Sequence, residues 1–176
     1  GIDFALKGQE WVDWAVERYV ACLSVCRGLV VWVVEGQTRD FRWSAAPALM
    51  LADLHRRGVH LRKPPVYYRN GIPGSGGPDF LRNDWEWCIC GTNGGKLPWS
   101  DNTAMGKPPE WHAGGVSNNR AANGKRKPAP KYAKPDLANP GNVIKCVVGG
   151  GNMGSDLTHD NEAPFPEKLV EMFVRS

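Results

Sequence analysis

"LVVWVV" (residues 29–34) is a continuous apolar run, and further on "DWEWCICG" (84–91) alternates apolar and polar positions. Together they decide the fold. A short unbroken apolar run rich in β-branched residues, stopped by Glu35-Gly36, predicts a strand buried on both faces, the kind found in parallel sheets. An alternating run predicts a strand antiparallel to its neighbour. That neighbour is "VHLRKPPVYYR" (59–69), so strands near 29–34, 60–68 and 85–90 are expected in one sheet.

Helices flank the first strand. "GQEWVDWAVERYVACLSVC" (8–26) places Trp11, Trp14, Ala15, Tyr19, Cys22, Leu23 and Cys26 along one broad side, with Arg27-Gly28 closing it. "AAPALMLADLHRR" (45–57) reads as a second helix, capped by Ser44 after a polar loop, with Pro47 in its first turn and Gly58 ending it. Helix, buried strand, helix and further strands in series is α/β winding. "NGIPGSGGP" (70–78) is a Gly/Pro loop. From Thr92 to about Asn142 periodicity almost vanishes, and a stretch of that length inside a domain points to function or disorder. Order returns with a short strand in "NVIKCVV" (142–148), the Gly-rich loop "GGGNMGSDL" (149–157), and a helix opening at Pro166. Internal repeats are not apparent.

The chain has 176 residues, enough for one domain with a real core. Its 21 Gly and 14 Pro imply long, shaped loops. With eight Trp, some should line a cleft or binding face, although Trp11, Trp14 and Trp32 sit in apolar runs and read equally well as core. Five Cys, at 22, 26, 88, 90 and 146, form no zinc-finger spacing and fit free thiols; no metal is expected. No run approaches the ~18 apolar residues of a membrane span and no signal peptide is read at the start, so the protein is expected to be soluble and cytoplasmic. The net charge of +4 is unevenly spread. Between Trp111 and Pro135 there is no acid, while Arg120, Lys125, Arg126, Lys127, Lys131 and Lys134 are basic. Such a block attracts phosphate backbones, where a solvated loop is the plainer alternative.

The remaining motifs are weak. "GGGNMG" lacks the spacing and following helix of a dinucleotide fingerprint and the Lys-Ser/Thr of a P-loop. No G-x-S-x-G elbow supports a triad built on His55, His60 or His159. Asp79, Asp84 and Glu86 cluster in sequence, but nothing there fixes their geometry.

The terminal run "THDNEAPFPEKLVEMFVRS" (158–176) resembles motif X, the methionine-side cofactor motif of S-adenosylmethionine-dependent DNA amino-methyltransferases. "ERYVACLSVCRGLVVWVVEGQT" (17–38) resembles the helix and strand that follow that family's catalytic strand. "GVHLRKPPVYYRNG" with "LRNDWEWCICGTNGG" resembles the antiparallel hairpin marking the methyltransferase sheet. "LPWSDNTAMGKPPEW" and "NPGNVIKCVVGGGNMGSDL" are similar to phage-type members. The ordered set covers essentially the whole chain.

The resemblance implies a partial Rossmann-like methyltransferase sheet with an antiparallel hairpin and a long irregular target-recognition insertion. It divides the chain into methyltransferase core (1–95), target-recognition insertion (96–142) and motif X region (143–176). It also implies transfer of a methyl group from S-adenosylmethionine to the exocyclic amine of cytosine or adenine in double-stranded DNA, as in restriction-modification. His159, Asn161, Glu162, Ala163 and Phe165 would border the cofactor, and Arg120, Lys125, Arg126, Lys127 and Lys131 would contact DNA. A surface loop is the alternative for His159, and ordinary helix packing for Phe165 and Leu169. The family's Asp/Ser/Asn-Pro-Pro-Tyr/Phe tetrapeptide and its F-x-G-x-G strand are both absent. No catalytic residue is therefore assigned. The chain is expected to be a central portion of such an enzyme in the permuted motif order, inactive alone and prone to self-association through exposed core surface. A non-catalytic DNA-binding module with a methyltransferase-like core is the competing expectation, and an RNA methyltransferase subunit a more distant one.

Overall fold

The computed structural model describes residues 6–69, 75–111, 120–127, 133–146 and 165–176. The chain forms two compact units, Gly1–Ser100 with Gly141–Val174, and Asp101–Pro140 with Arg175–Ser176.

The first unit is a mixed α/β layer structure. Helix α1 (Gly8–Val25) buries Val12, Ala15, Val16, Tyr19 and Leu23, a stripe at helical spacing. The expected stripe was turned slightly too far, since Cys22 is exposed and Trp11 and Trp14 pack only partly against the core. The helix also stops earlier than Arg27-Gly28. Cys26 is already extended, and the Asn93 side-chain amide donates to the Leu23 and Cys26 carbonyls at 2.5 and 2.7 Å, satisfying acceptors the last turn leaves free.

Strand β1 (Val30–Val34) follows, then a two-stranded hairpin, β2 (Thr38–Arg39) and β3 (Arg42–Trp43), where only a polar loop was expected. Helix α2 (Ala46–Arg56) has Ala45 at its N-cap rather than Ser44, with no side-chain cap, and Pro47 lies in its first turn. It ends as the sequence suggested. Gly58, at φ +76°, donates to the His55 carbonyl while Val59 donates to Leu54, a Schellman closure. The strand expected over 60–68 is two pieces, β4 (His60–Leu61) and β5 (Val66–Tyr68), because Pro64-Pro65 cannot donate to a ladder. Strand β6 (Trp85–Thr92), β7 (Val143–Lys145) and helix α3 (Glu167–Arg175) complete the unit.

The sheet order is β1-β6-β5-β7, with β4 also paired to β6. Strand β6 is antiparallel to β1, β4 and β5, so those three share a direction, and β7 runs parallel to β5. The three strands expected in one sheet are in one sheet, with the 60–68 region antiparallel to 85–90. The parallel neighbour expected for "LVVWVV" is not there: among the described residues its partner is antiparallel β6. Its apolar run is continuous for a different reason, since helices cover both faces. One face joins Val34 and Ile89 to α1 and α2, with Val30 and Trp32 packed alongside. The other joins Cys88, Cys90, Tyr67 and Ile144 to Leu169 of α3, flanked by Val31 and Val33. Truncating a fully buried residue such as Leu54 to Ala should cost about 2–5 kcal/mol. All five cysteines are free, and burial pushes the Cys88 and Cys90 thiols up to about 12.

The second unit is held by turns and isolated bridges. Asp101 accepts hydrogen bonds from the Thr103 amide and hydroxyl (2.9 and 2.8 Å), which hold its carboxyl below the usual range. Lys107 bridges to Ala138. Among the described residues, no helix is long and apolar enough to cross a membrane.

Candidate nucleic-acid interface

The basic block resolves, over its described part, into a tight hairpin. Arg120 and Arg126 face each other as an antiparallel bridge. The Ala121 amide donates to Lys125 (2.8 Å), Gly124 donates back to Ala121 (2.9 Å), and Gly124 sits at φ +77°. This is a three-residue loop closing on a left-handed glycine, and the Asn123 side chain accepts from the Lys125 amide (3.1 Å). Arg120, Lys125, Arg126 and Lys127 are all exposed. Among the described residues no carboxylate pairs with them. Directly opposed residues of an antiparallel pair have their Cβ atoms about 5 Å apart on one face, and like charges there repel. A phosphate between them would turn that repulsion into attraction. Lys131, the fifth expected contact, lies outside the described residues.

The hairpin the sequence did not reveal has the same plan. Arg39 and Arg42 are register partners, and Asp40 and Phe41 form the turn at φ 49° and 60°. Both are left-handed without being glycine, which for a bulky side chain is strained by about 1–2 kcal/mol. Phe41 is 70% exposed and Trp43 47%. The stem is fixed from below. Trp43 donates its indole N–H to Glu35 Oε1 (3.2 Å), and the Ser44 amide donates to the Gln37 carbonyl (2.8 Å). Gly36 is so closely covered that an added Cβ would lie 2.0 Å from the Ser44 carbonyl oxygen. Arg39 and Arg42 have no carboxylate partner among the described residues.

Under this stem lies a polar cluster at the carboxyl ends of β1 and β5, where open α/β sheets bind ligands. Glu35 follows β1, Arg69 follows β5, and Glu86 stands on β6 opposite Tyr67. Arg69 and Glu86 form a half-buried ion pair. Burial first, and then Glu35, push the Glu86 carboxyl up, while Arg69 opposes them. Burial, then the Glu86 charge, push the Tyr67 hydroxyl up to about 12. Glu35 Oε2, Tyr67 Oη and Arg69 Nε are buried without a hydrogen-bond partner among the described residues. Of the carboxylates grouped in the sequence, only Glu86 joins this cluster; Asp84 pairs with Arg82 nearer the surface.

The structure describes only Phe165 of the five residues expected at the cofactor. It is 49% exposed just before α3 and offers an apolar border but no polar group to hold a methionine moiety. His159, Asn161, Glu162 and Ala163 lie outside the described residues. Leu169 is core, as its packing alternative had it. Among the described residues the first unit carries a shallow depression of about 280 Å³ beside His60 and Asn93 and another of about 380 Å³ beside His55 and Leu61. Neither gathers residues with a shared chemistry.

No family model matches the chain, and neither a curated protein nor a solved structure matches it.

Proposed function

We propose that the chain is part of an S-adenosylmethionine-dependent DNA amino-methyltransferase, and that it supplies DNA contacts and sheet scaffold rather than the reacting groups. The observation that carries this reading is strand β6, antiparallel and inserted between β1 and β5, which share a direction. This arrangement supports the reading, because the resemblance implies an antiparallel hairpin in the sheet. The opposed arginines of the 120–126 hairpin add a surface suited to phosphate. Methylating an exocyclic amine requires the base to leave the stack, so such an enzyme needs groups that grip backbone on both sides of an opened pair.

The test is methyl transfer from labelled S-adenosylmethionine to mixed-sequence duplex DNA. It compares the 176-residue chain with a polypeptide extended through the tetrapeptide and F-x-G-x-G motifs. Turnover by the extended form alone is the expected result. Turnover by the shorter chain would mean the reacting groups are among its own residues. Duplex binding with no turnover by either would favour the second reading, a DNA-binding module without catalysis, which the exposed basic hairpin supports equally.

A further inference from the structure

We propose that the Thr38–Trp43 hairpin is a DNA wedge: Phe41 enters the base stack of a duplex while Arg39 and Arg42, together on one face of the neck, hold the phosphates beside it. The inference deepens the DNA-methyltransferase reading and rests on it, since it names how the base is made to leave the stack.

Three observations converge. First, Phe41 is the largest side chain at the tip, mostly exposed, and held where a Phe is strained. Strain of this kind persists only when the surrounding structure enforces it. Here Gly36, the Glu35–Trp43 hydrogen bond and the Ser44–Gln37 bond do so. A rigid stem under a protruding aromatic ring is what an intercalating side chain needs, because a mobile tip would fold back rather than unstack a step. Second, Arg39 and Arg42 stand opposite one another at the neck, exposed and without a carboxylate partner among the described residues. Two guanidinium groups on one face behind an apolar tip can hold backbone phosphates while the tip enters the stack beside them. Third, the other tip residue, Asp40, is an acceptor only. Phosphates would repel it, but the exocyclic amine of a base would satisfy it, so the tip chemistry favours base edges over backbone.

An aromatic tip between arginines could also enter an anionic lipid surface. Asp40 at the leading edge and the opposed arginine pair favour DNA, and the experiment includes both.

The 176-residue chain is titrated into mixed-sequence duplexes carrying 2-aminopurine, with anisotropy reporting binding and 2-aminopurine fluorescence reporting unstacking. Fluorescence is expected to rise about threefold or more at saturation as the probe leaves the stack. Phe41→Gly should bind within about twofold of the parent yet lose the rise, because a lost wedge leaves the phosphate contacts intact. Its turn accepts glycine readily, so a folding failure is not expected, and a thermal melt at least as high as the parent's verifies this. Arg39→Ala/Arg42→Ala should flatten the slope of log affinity against log salt by about 1.8, two phosphate contacts' worth. Binding without a fluorescence rise, or a rise that survives Phe41→Gly, overturns the wedge and leaves the DNA reading standing. Failure to bind any duplex overturns both. Tighter binding to phosphatidylserine vesicles than to duplex at equal ionic strength assigns the tip to lipid and overturns the wedge.

Discussion

Two hairpins of this molecule carry opposed arginines, and they solve the same geometric problem in opposite ways. The 120–126 hairpin turns through Asn123-Gly124, where a left-handed backbone costs little, and offers only cations and small side chains. The 38–43 hairpin turns through Asp40-Phe41, where the same backbone region is costly, and it is anchored to the sheet through Glu35 and Gly36. A relaxed turn suits a surface that only needs to hold charge. A strained turn on a fixed stem suits one that must keep a particular side chain pointing outward. Cross-strand arginine pairs alone therefore do not define a role; the turn chemistry and the anchoring distinguish them.

The largest expected effect tests whether the 38–43 hairpin depends on the polar cluster beneath it. Arg69→Met leaves Glu86 half-buried without its cation, which should cost about 2–3 kcal/mol, less than the loss of a fully buried pair. The penalty should depend on pH. Burial and Glu35 already raise Glu86 in the folded protein, and loss of Arg69 raises it further, so the folded state binds the proton more tightly than the unfolded chain. Stability is then greatest below the unfolded carboxyl value and falls as pH rises through the folded one. Urea melts should show a smaller deficit at about pH 5 than at about pH 7. Equal deficits would mean that Glu86 is not the group left unpaired.

Next comes the basic hairpin. If Lys125, Arg126 and Lys127 each meet a phosphate, changing all three to Ala should flatten the salt slope by about 2.7, or about 40-fold in affinity across a fourfold change in salt. An unchanged slope would reduce this hairpin to a solvated loop. Gly36→Ala follows, at about 2 kcal/mol, because the new methyl collides with backbone that has little room to yield. Trp43 fluorescence should shift as its indole leaves Glu35. A variant as stable as the parent, with the indole in place, would show that the stem is not held as tightly as its geometry implies.

The sheet was largely legible and the candidate site only half so, for physical reasons. The apolar run "LVVWVV" and the β-rich "DWEWCICG" mark strands, so both and their common sheet could be read, although β6 is buried continuously from Cys88 to Thr92 rather than on alternate positions. The antiparallel pairing of 60–68 with 85–90 was readable too, but the direction of the partner of β1 was not, because an apolar run covered by helices on both faces looks the same beside a parallel or an antiparallel partner. The cap of α2 was misplaced by one residue because Ser44 is bonded back to Gln37 and does not reach the helix. The basic block was visible as composition. The 38–43 hairpin was not, since Asp-Phe is no hairpin signal: the turn requires left-handed residues that such a pair disfavours. The burial of Glu86 was available in principle, as it shares a strand face with Cys88 and Cys90, but its partners Arg69 and Glu35 come together only through pairing. Of the expected cofactor residues, only Phe165 is among the described residues.

The smallest effect separates the two turns most cleanly, because its sign reverses between them. Gly124→Ala adds a methyl into open space, so the cost is purely the left-handed backbone, about 1 kcal/mol. Phe41→Gly makes the opposite exchange. It releases the strain of a bulky residue at φ 60° and loses little burial, because the ring is mostly in solvent. The greater freedom of glycine in the unfolded chain takes back part of that release, leaving a net gain of about 0.5–1 kcal/mol. Removing a glycine should therefore destabilise one hairpin while adding one stabilises the other, as matched urea melts would register. If Phe41→Gly instead destabilises, the ring makes native contacts that outweigh its strain, and the turn is held for packing rather than for display. A gain in stability coupled with loss of base unstacking would mean that the strain at Phe41 is retained for function.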